Sequence, residues 1–268
     1  MKNSLDLFFE LSNEDRLSIL TSLQVKPLKL TQISSQLKLP NQEVSRQLAR
    51  LVALDLCYRD GEGLYNLTPY AEQAIKLIPG FEFLSKNRSY FKTHTARGLP
   101  LEFQLRIGEL SSCVPLSDVM TTLYDIQQKI TEATEYIWFI TEQGNIMIGG
   151  SIEDAIRRGV EYKVILPRNI TPSEPYTHYI KGWGPDHPLR SSKAQRRYLD
   201  SLPVALNMSE KEAPQILFPT LEGKLDYTGF KANGGEAHRW CRDLFRYYWE
   251  NASTEAPKRL RDLLRLDQ

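Results

Sequence analysis

The chain has 268 residues, of which 41% are hydrophobic and 25% charged, and its formal net charge is +1. This length predicts two domains, and the composition is typical of a soluble globular protein. No apolar run approaches the roughly 20 residues of a membrane-spanning helix, and we expect no secretory signal. The scattered Cys57, Cys113 and Cys241 argue against disulfides or a cysteine-based zinc site and favour a reducing cytoplasm.

Positive charge is concentrated in the first part of the chain. Residues 1–100 hold 13 basic and 10 acidic side chains, a net charge of +3, whereas the remainder holds 21 and 23, a net charge of −2. Within 24–59 there are six basic and two acidic side chains. Such a local excess is what neutralisation of nucleic-acid phosphates requires.

Three short helices are predicted near the start of the chain. Asn13 is a suitable N-cap for a helix over about 14–23, and Thr31 is a suitable N-cap for a second one. After a turn at Pro40, Asn41 is expected to cap a third helix that runs to about residue 54.

The third helix is predicted to be amphipathic. Its apolar stripe consists of Val44, Leu48, Leu51 and Val52. Its other face consists of Gln42, Ser45, Arg46, Ala49 and Arg50. Arginine, glutamine and serine side chains can contact base edges or phosphates in a major groove, so this face predicts a recognition helix.

A small hairpin is predicted after the third helix. Residues 55–59 and 64–67 form its strands, and Asp60-Gly61-Glu62-Gly63 forms its turn. Thr68 and Pro69 then begin another helix. Three helices followed by a glycine-tipped hairpin predict a winged helix-turn-helix.

The segment from Ser12 to Lys76 resembles the winged helix-turn-helix of ArsR- and MarR-type regulators. The string from Thr31 to Leu51 resembles their second helix, turn and recognition helix. The resemblance implies double-stranded DNA as partner, and five residues that face it: Asn41, Gln42, Ser45, Arg46 and Arg50.

To this set we add Arg59, on the first strand of the hairpin. The hairpin departs from the family pattern, because Asp60 and Glu62 are acidic where many wings are basic. Winged helices also serve as protein-interaction modules, so an adaptor that binds no DNA remains the alternative.

The rest of the chain predicts an α/β domain. An apolar strand at 136–141, a helix at 146–158 and a strand at 160–166 form a strand–helix–strand pattern that predicts parallel pairing. Further elements are expected as follows: helical segments over 70–95 interrupted at Pro79-Gly80, an interdomain connection over 94–100, a helix over 116–131, strands at 204–208 and 216–218, and a helix over 236–249. We therefore predict a winged-helix domain over 1–95, including the helix that follows it, and an α/β domain over 96–268.

The whole chain resembles archaeal helix-turn-helix regulators that carry a methanogenesis-regulatory domain. The segments that carry the resemblance are Gly108–Leu110, Glu135–Thr141, Arg158–Glu161, Leu202–Ala205 and Arg239–Trp249. The α/β part also resembles the phospholipase D-like fold, whose enzymes use a His-x-Lys-x4-Asp motif. The nearest string here, His178 and Lys181 with Asp186, has the wrong first spacing. We therefore expect a non-catalytic domain, with a phospholipase D-like enzyme as the less favoured alternative.

Ligand chemistry is expected where the two parallel strands end. Strand ends in such sheets commonly bind ligands, and the polar residues that follow them are Glu142, Asn145, Arg168 and Asn169. Residues 176–187, predicted to form an aromatic loop, are the expected rim of that pocket. The alternatives are a solvated edge and an ordinary surface loop. His178, Asp186 and His187 could ligate a metal, but we expect neither a metal site nor a cofactor.

These features together predict a sequence-specific, DNA-binding transcriptional regulator. Its α/β domain is expected to sense a small effector or a partner protein. A homodimer would place two recognition helices in successive major grooves. Dimer contacts are expected from Leu5, Phe8 and Phe9 and from the helices between 70 and 131.

Overall fold

The computed structural model describes residues 2–142, 144, 146–232 and 235–264. The chain divides into two compact units, Met1–Pro79 (unit 1) and Gly80–Gln268 (unit 2). This division precedes the predicted boundary at 95/96, because Phe83, Tyr90 and Phe91 pack into the core of unit 2. In the described part of the chain, no helix is both long enough and apolar enough to span a bilayer.

Unit 1 is a winged helix-turn-helix. Its elements in chain order are α1 (Lys2–Leu11), α2 (Glu14–Val25), α3 (Leu30–Leu37), α4 (Asn41–Ala53), β1 (Cys57–Arg59), β2 (Tyr65–Leu67) and α5 (Pro69–Ile75). Strands β1 and β2 pair antiparallel and form the wing. The predicted helices and hairpin are therefore confirmed.

Two of the predicted helix caps are confirmed and two are wrong. Asn13 accepts a hydrogen bond from the Arg16 amide at 3.0 Å and caps α2, and Thr68 caps α5. Thr31 does not cap α3, because the Gln32 side chain accepts the Lys29 amide at 2.8 Å and the helix begins earlier. Asn41 is the first residue of α4 rather than its cap.

Pro40 occupies the N-cap position of α4 in its place, at φ −58° and ψ 140°. The proline ring fixes φ near this value, and the extended ψ carries the chain into the first helical turn.

The core of unit 1 lies between α2, α3 and α4. It contains Ile19, Leu20, Leu23, Ile33, Val44, Leu48 and Leu51. On α4, Gln47 is buried and Val52 is exposed, contrary to the predicted stripe. Residues 44, 47, 48 and 51 follow the 3.6-residue period, and position 52 falls one step outside it.

Unit 2 is an α/β domain. Its helices are α6 (Ile78–Lys86), α7 (Leu101–Leu105), α8 (Val119–Glu132), α9 (Ile146–Arg157), α10 (Glu174–Lys181), α11 (Gly235–Asn251) and α12 (Lys258–Leu264). Its strands are β3 (Val114–Pro115), β4 (Tyr136–Ile140), β5 (Glu161–Pro167), β6 (Ala194–Leu199), β7 (Ala205–Ser209), β8 (Ala213–Leu217) and β9 (Phe230–Ala232). Helix α6 begins two residues before the boundary between the units, so the chain crosses the boundary within a helix.

The described strands of unit 2 form one sheet in the order β3-β9-β8-β7-β4-β5-β6. Strands β4, β5 and β6 are parallel to one another, while β7 pairs antiparallel with β4 and β8. The predicted β4–α9–β5 unit is confirmed, and Gly159 ends its helix with φ at +102°. This left-handed conformation costs glycine little, and it is strained for residues with a Cβ atom.

Two predictions for unit 2 are wrong, and one strand was missed. Residues 176–181 belong to helix α10, because Ser173 caps it by accepting the Tyr176 amide. Strand β6 was not predicted. The helical segment is interrupted at 76–77 rather than at Pro79-Gly80, because these two residues lie in the first turn of α6, where a proline costs no hydrogen bond.

Helices cover both faces of the sheet. Helices α8, α9, α10 and α12 pack on the face that includes Phe139 and Val164. Helix α11 packs on the opposite face, where Phe245 stacks on Trp138 with ring centroids 4.7 Å apart. Strands β4 and β5 therefore have cores on both sides, as their largely apolar sequences indicate.

Candidate functional site

The first candidate site is the exposed face of α4. Its exposed residues are Asn41, Gln42, Ser45, Arg46, Ala49 and Arg50. Residues four apart lie one above the other on a helix, so positions 42, 46 and 50 form one column and 41, 45 and 49 the next. The structure therefore brings five of the six predicted DNA-contacting residues onto one surface, and Arg59 lies on the wing.

Arg46 is the most accessible cation on this face. Its side chain is 70% exposed and forms an ion pair with Glu43 at 2.8 Å. The Arg46 guanidinium, by its hydrogen bond, lowers the pKa of the Glu43 carboxyl below its ordinary value. Exposed pairs three residues apart contribute little to stability, so Arg46 can exchange this partner for an anion at small cost.

Arg50 has a different environment. Its guanidinium lies 2.8 Å from the carboxylate of Glu10, which is 4% exposed. Arg16 contacts the same carboxylate at 2.7 Å, and it also donates to Gln47 at 3.0 Å. Arg16 and Arg50 both lie over the Phe9 ring, each 5.6 Å from its centroid. Arg50 therefore holds α4 to α1, besides being half-exposed on the polar face.

The acidic residue Asp60 has a structural role in the wing. Asp60 accepts hydrogen bonds from the amides of Leu64 at 2.8 Å and Glu62 at 3.0 Å, and from the side chain of Asn66. The Leu64 bond is the largest cause of the lowered pKa of the Asp60 carboxyl. Its negative charge stabilises the turn. Arg59 is exposed beside it, with its guanidinium over the Tyr65 ring.

The second candidate site is a cavity of about 420 Å³ in unit 2. It lies between helices α8, α9 and α10 and the sheet face that they cover. Tyr176 and Tyr179 of α10 line it, as expected for the aromatic segment. The Tyr176 ring approaches Gly144 so closely that a Cβ atom there would lie 2.0 Å from it. A side chain at position 144 would therefore displace the Tyr176 ring.

The four predicted ligand residues are placed differently from one another. Glu142 lines the cavity and is exposed at its rim, and partial burial raises the pKa of its carboxyl. Arg168 and Asn169 are exposed and are not part of the lining, since Arg168 points to Asp200, with the two side chains 3.4 Å apart. Asn145 lies outside the described residues. Of the residues expected to line a pocket at the strand ends, Glu142 after β4 therefore lines the cavity, while Arg168 and Asn169 after β5 do not.

Sequence reasoning missed most of the lining, including three polar residues on the strands. Asn207 and Gln215 are each 8% exposed on neighbouring strands, and Arg196 is half-buried on β6. A polar residue inside the apolar strand predicted at 204–208 was a usable signal for Asn207. Arg196 had none, because β6 itself was not predicted.

The residues considered for catalysis or metal binding do not converge. His178, Lys181 and Asp186 are all exposed. His187 lies 3.4 Å from Glu153, and burial lowers the pKa of its imidazole. Across the described ranges, no group of three or more His, Cys, Asp or Glu side chains could hold a metal ion.

The cysteines are all buried as free thiols. Burial raises the pKa of the Cys57 and Cys113 thiols to about 12. Both thiols are therefore protonated at neutral pH and unreactive.

Residues 13–58 match the family model described as bacterial regulatory protein, arsR family. The matched segment runs from the cap of α2 to the second residue of β1. Residues 13–58 are therefore an ArsR-type helix-turn-helix. No curated protein matches the chain.

Several solved structures are similar to this chain. TrmBL2, described as an archaeal chromatin protein with a novel mode of DNA binding, is 16% identical, and the match covers 92% of this chain and 95% of that one at a TM-score of 0.42. HlyU from Vibrio cholerae N16961 is 28% identical, with 29% and 88% covered and a TM-score of 0.27. NucT from Helicobacter pylori is 12% identical, with 54% and 98% covered and a TM-score of 0.39.

The buried Glu10 carboxylate leads to a test of unit 1. We expect Glu10→Gln to lower the free energy of unfolding of unit 1 by about 3 kcal/mol, because the buried Arg16 would remain charged without the Glu10 carboxylate. Urea unfolding monitored by circular dichroism measures this change. The control is Glu62→Gln on the exposed wing, where we expect a change within about 0.5 kcal/mol. Equal unfolding midpoints for the two variants would contradict the structural role of Glu10.

Proposed function

We propose that this chain is a DNA-binding transcriptional regulator that inserts α4 into the major groove. The observation that carries the proposal is the exposed face with Gln42, Ser45 and Arg46, within the segment that matches the arsR family. These side chains are the types that donate to and accept from base edges. A face of merely solvated residues has no need for this combination.

The dimensions and charge of α4 support the proposal. The nine steps from Asn41 to Arg50 extend about 13 Å along the helix axis, and the major groove is about 12 Å wide. Pro40 provides no side-chain cap, so the first-turn amides of α4 are open to a phosphate. The basic excess within residues 24–59 acts in the same direction.

Arg46 is proposed to read a base, and Arg50 and Arg59 to contact phosphates. We expect Arg46→Ala to weaken specific binding by about 1–3 kcal/mol, because a bidentate contact to guanine is lost. Fluorescence anisotropy with a DNA fragment selected by the full chain from genomic DNA measures this change. Arg157→Ala is the matched control, since Arg157 is also exposed and paired with an acid three residues away.

The same binding measurement distinguishes a DNA-binding regulator from an adaptor that binds only proteins. Equal affinity of wild type and Arg46→Ala for the selected fragment would contradict the role of Arg46. If the wild-type chain binds no duplex even at low salt, the winged helix is a protein-interaction module instead.

The proposed regulator acts as a homodimer in the cytoplasm. Support comes from the apolar side of α1, where Leu5, Phe8 and Phe9 are 67%, 53% and 61% exposed. Exposed apolar clusters of this kind mark interaction surfaces. A two-fold dimer would place two copies of α4 about 34 Å apart, one helical turn of DNA.

The α1 surface can be tested by sedimentation. We expect the double variant Leu5→Glu, Phe8→Glu to sediment as a monomer at concentrations where the wild type is a dimer, because two carboxylates would be buried at the interface. Val25→Glu is the control, since Val25 is 81% exposed at the end of α2. A dimeric double variant, or a wild type that is monomeric at all concentrations, would refute this surface.

We propose that unit 2 has no phosphodiesterase activity. Support comes from the exposure of His178 and Lys181 on α10 and of Asp186 beyond it, since a nucleophile needs a positioned partner. We expect no hydrolysis of bis(p-nitrophenyl) phosphate above background. Hydrolysis that is lost in His178→Ala would show the opposite.

Unit 2 is proposed to sense a small effector. Support comes from the cavity of about 420 Å³, a size within the usual range of ligand sites. Its walls combine apolar side chains with a few buried polar groups, as such sites do.

A further inference from the structure

The floor of the cavity in unit 2 is one row of residues across the sheet. Strand register aligns Gln215 with Asn207, Asn207 with Phe139, Phe139 with Val164, and Val164 with Arg196. All five line the cavity. The row is polar at both ends and apolar in the middle. Four strand spacings separate its ends by about 19 Å between Cα atoms.

One end of the row is a buried amide pair. The Asn207 side chain donates to the Gln215 side-chain oxygen at 2.7 Å. Each residue is 8% exposed. This single bond leaves one carbonyl oxygen and one amino group of the pair without a partner among the described residues, and the same holds if both amides are flipped. The pair therefore offers an acceptor and a donor side by side.

The other end of the row is a cation. The Arg196 guanidinium donates to the carbonyl oxygens of Leu189 at 2.8 Å and Ala194 at 3.4 Å. No carboxylate forms an ion pair with it among the residues that the structure describes. Tyr176 lines the same cavity, and the Arg196 charge partly offsets the burial that raises the pKa of the Tyr176 hydroxyl. A half-buried guanidinium with free donors favours an anionic partner.

The middle of the cavity is apolar. Ile148 and Ile152 of α9 and Leu123 and Ile126 of α8 line it opposite the floor. Glu142 is the one carboxylate among the described lining residues, and it is exposed at the end of β4. Solvent screens its charge more than that of a buried group. The inner cavity thus has a cationic end, an apolar middle and an uncharged hydrogen-bonding end.

From this arrangement we infer that the cavity binds an elongated organic acid with an uncharged amide-like group at its far end. The carboxylate binds Arg196, the hydrocarbon part lies against Phe139 and Val164, and the amide exchanges a donor and an acceptor with Asn207 and Gln215. This inference rests on the proposed effector role of unit 2 and specifies the class of effector.

Three matched probes separate the two ends. Sebacic acid monoamide has both groups, its methyl ester lacks the charge, and decanoic acid lacks the amide. We expect the monoamide to bind the full chain most tightly in isothermal titration calorimetry. The ester and decanoic acid should each bind at least about tenfold more weakly, because each leaves one buried polar group of the cavity unpaired.

Two variants assign each preference to its residue. Arg196→Met should abolish the preference for acid over ester and keep the preference for amide over methyl. Gln215→Met should keep the preference for acid over ester and abolish the preference for amide over methyl. Because each preference is a ratio of two ligands on one variant, changes in protein stability cancel. Arg168→Met is the control, since Arg168 is a cation near the same sheet edge outside the cavity, and both preferences should persist.

The possible outcomes are distinct. Equal binding of acid and ester by the wild type, retention of the acid preference in Arg196→Met, or no binding of any probe would overturn the inference. DNA affinity is measured on the same preparation without a probe. If the chain binds DNA but no probe, only the inferred ligand class is wrong. If it binds the monoamide but no DNA, the proposed regulator function is wrong and the inferred ligand class is supported.

Discussion

The buried carboxylate of Glu10 is the contact on which the arrangement of unit 1 depends. A buried charge is costly unless its partners are fixed around it, and here Arg16 and Arg50 meet it from α2 and α4. The Glu10 side chain of α1 therefore links three helices, α1, α2 and α4. The orientation of the polar face of α4 follows from this contact and from the apolar packing of Val44, Leu48 and Leu51. The surface that contacts DNA in our proposal is thus positioned from its buried side.

Sequence patterns were most informative where the physical cause is local. The caps at Asn13 and Thr68 and the glycine end of α9 depend on neighbouring residues, and all three are confirmed. The caps expected at Thr31 and Asn41 are wrong by one or two residues, because Lys29 and Pro40 occupy the cap positions. The pairing of Arg50 with Glu10 joins positions 40 residues apart, and no periodicity reveals such a pair. The polar face of α4 was therefore predicted correctly as a surface, while the internal role of one of its members was not.

In unit 2 the informative signal was continuous hydrophobicity. Strands β4 and β5 contain runs of buried apolar residues and were predicted. Strand β6 carries Gln195, Arg196 and Arg197 and is polar enough to resemble a loop. The cavity floor takes one end from that missed strand. Glu142 was found because it directly follows a recognisable strand, but the amide pair emerges only from the register of β7 with β8. A site built across strands depends on long-range pairing, which a single sequence does not reveal.

Strand β4 joins the parallel and the antiparallel parts of the sheet, because it pairs parallel with β5 and antiparallel with β7. The β7–β8 hairpin closes through a turn of three residues, with the Ser209 amide donating to the Glu212 carbonyl oxygen, whereas β4 and β5 are joined by a crossover that contains α9. Short loops close early in folding and long crossovers late. The cavity floor includes strands from both kinds of connection, so we expect it to be complete only after the slower crossover has closed. A molecule bound there would therefore slow unfolding far more than it would speed folding, and would act on the lifetime of the folded domain.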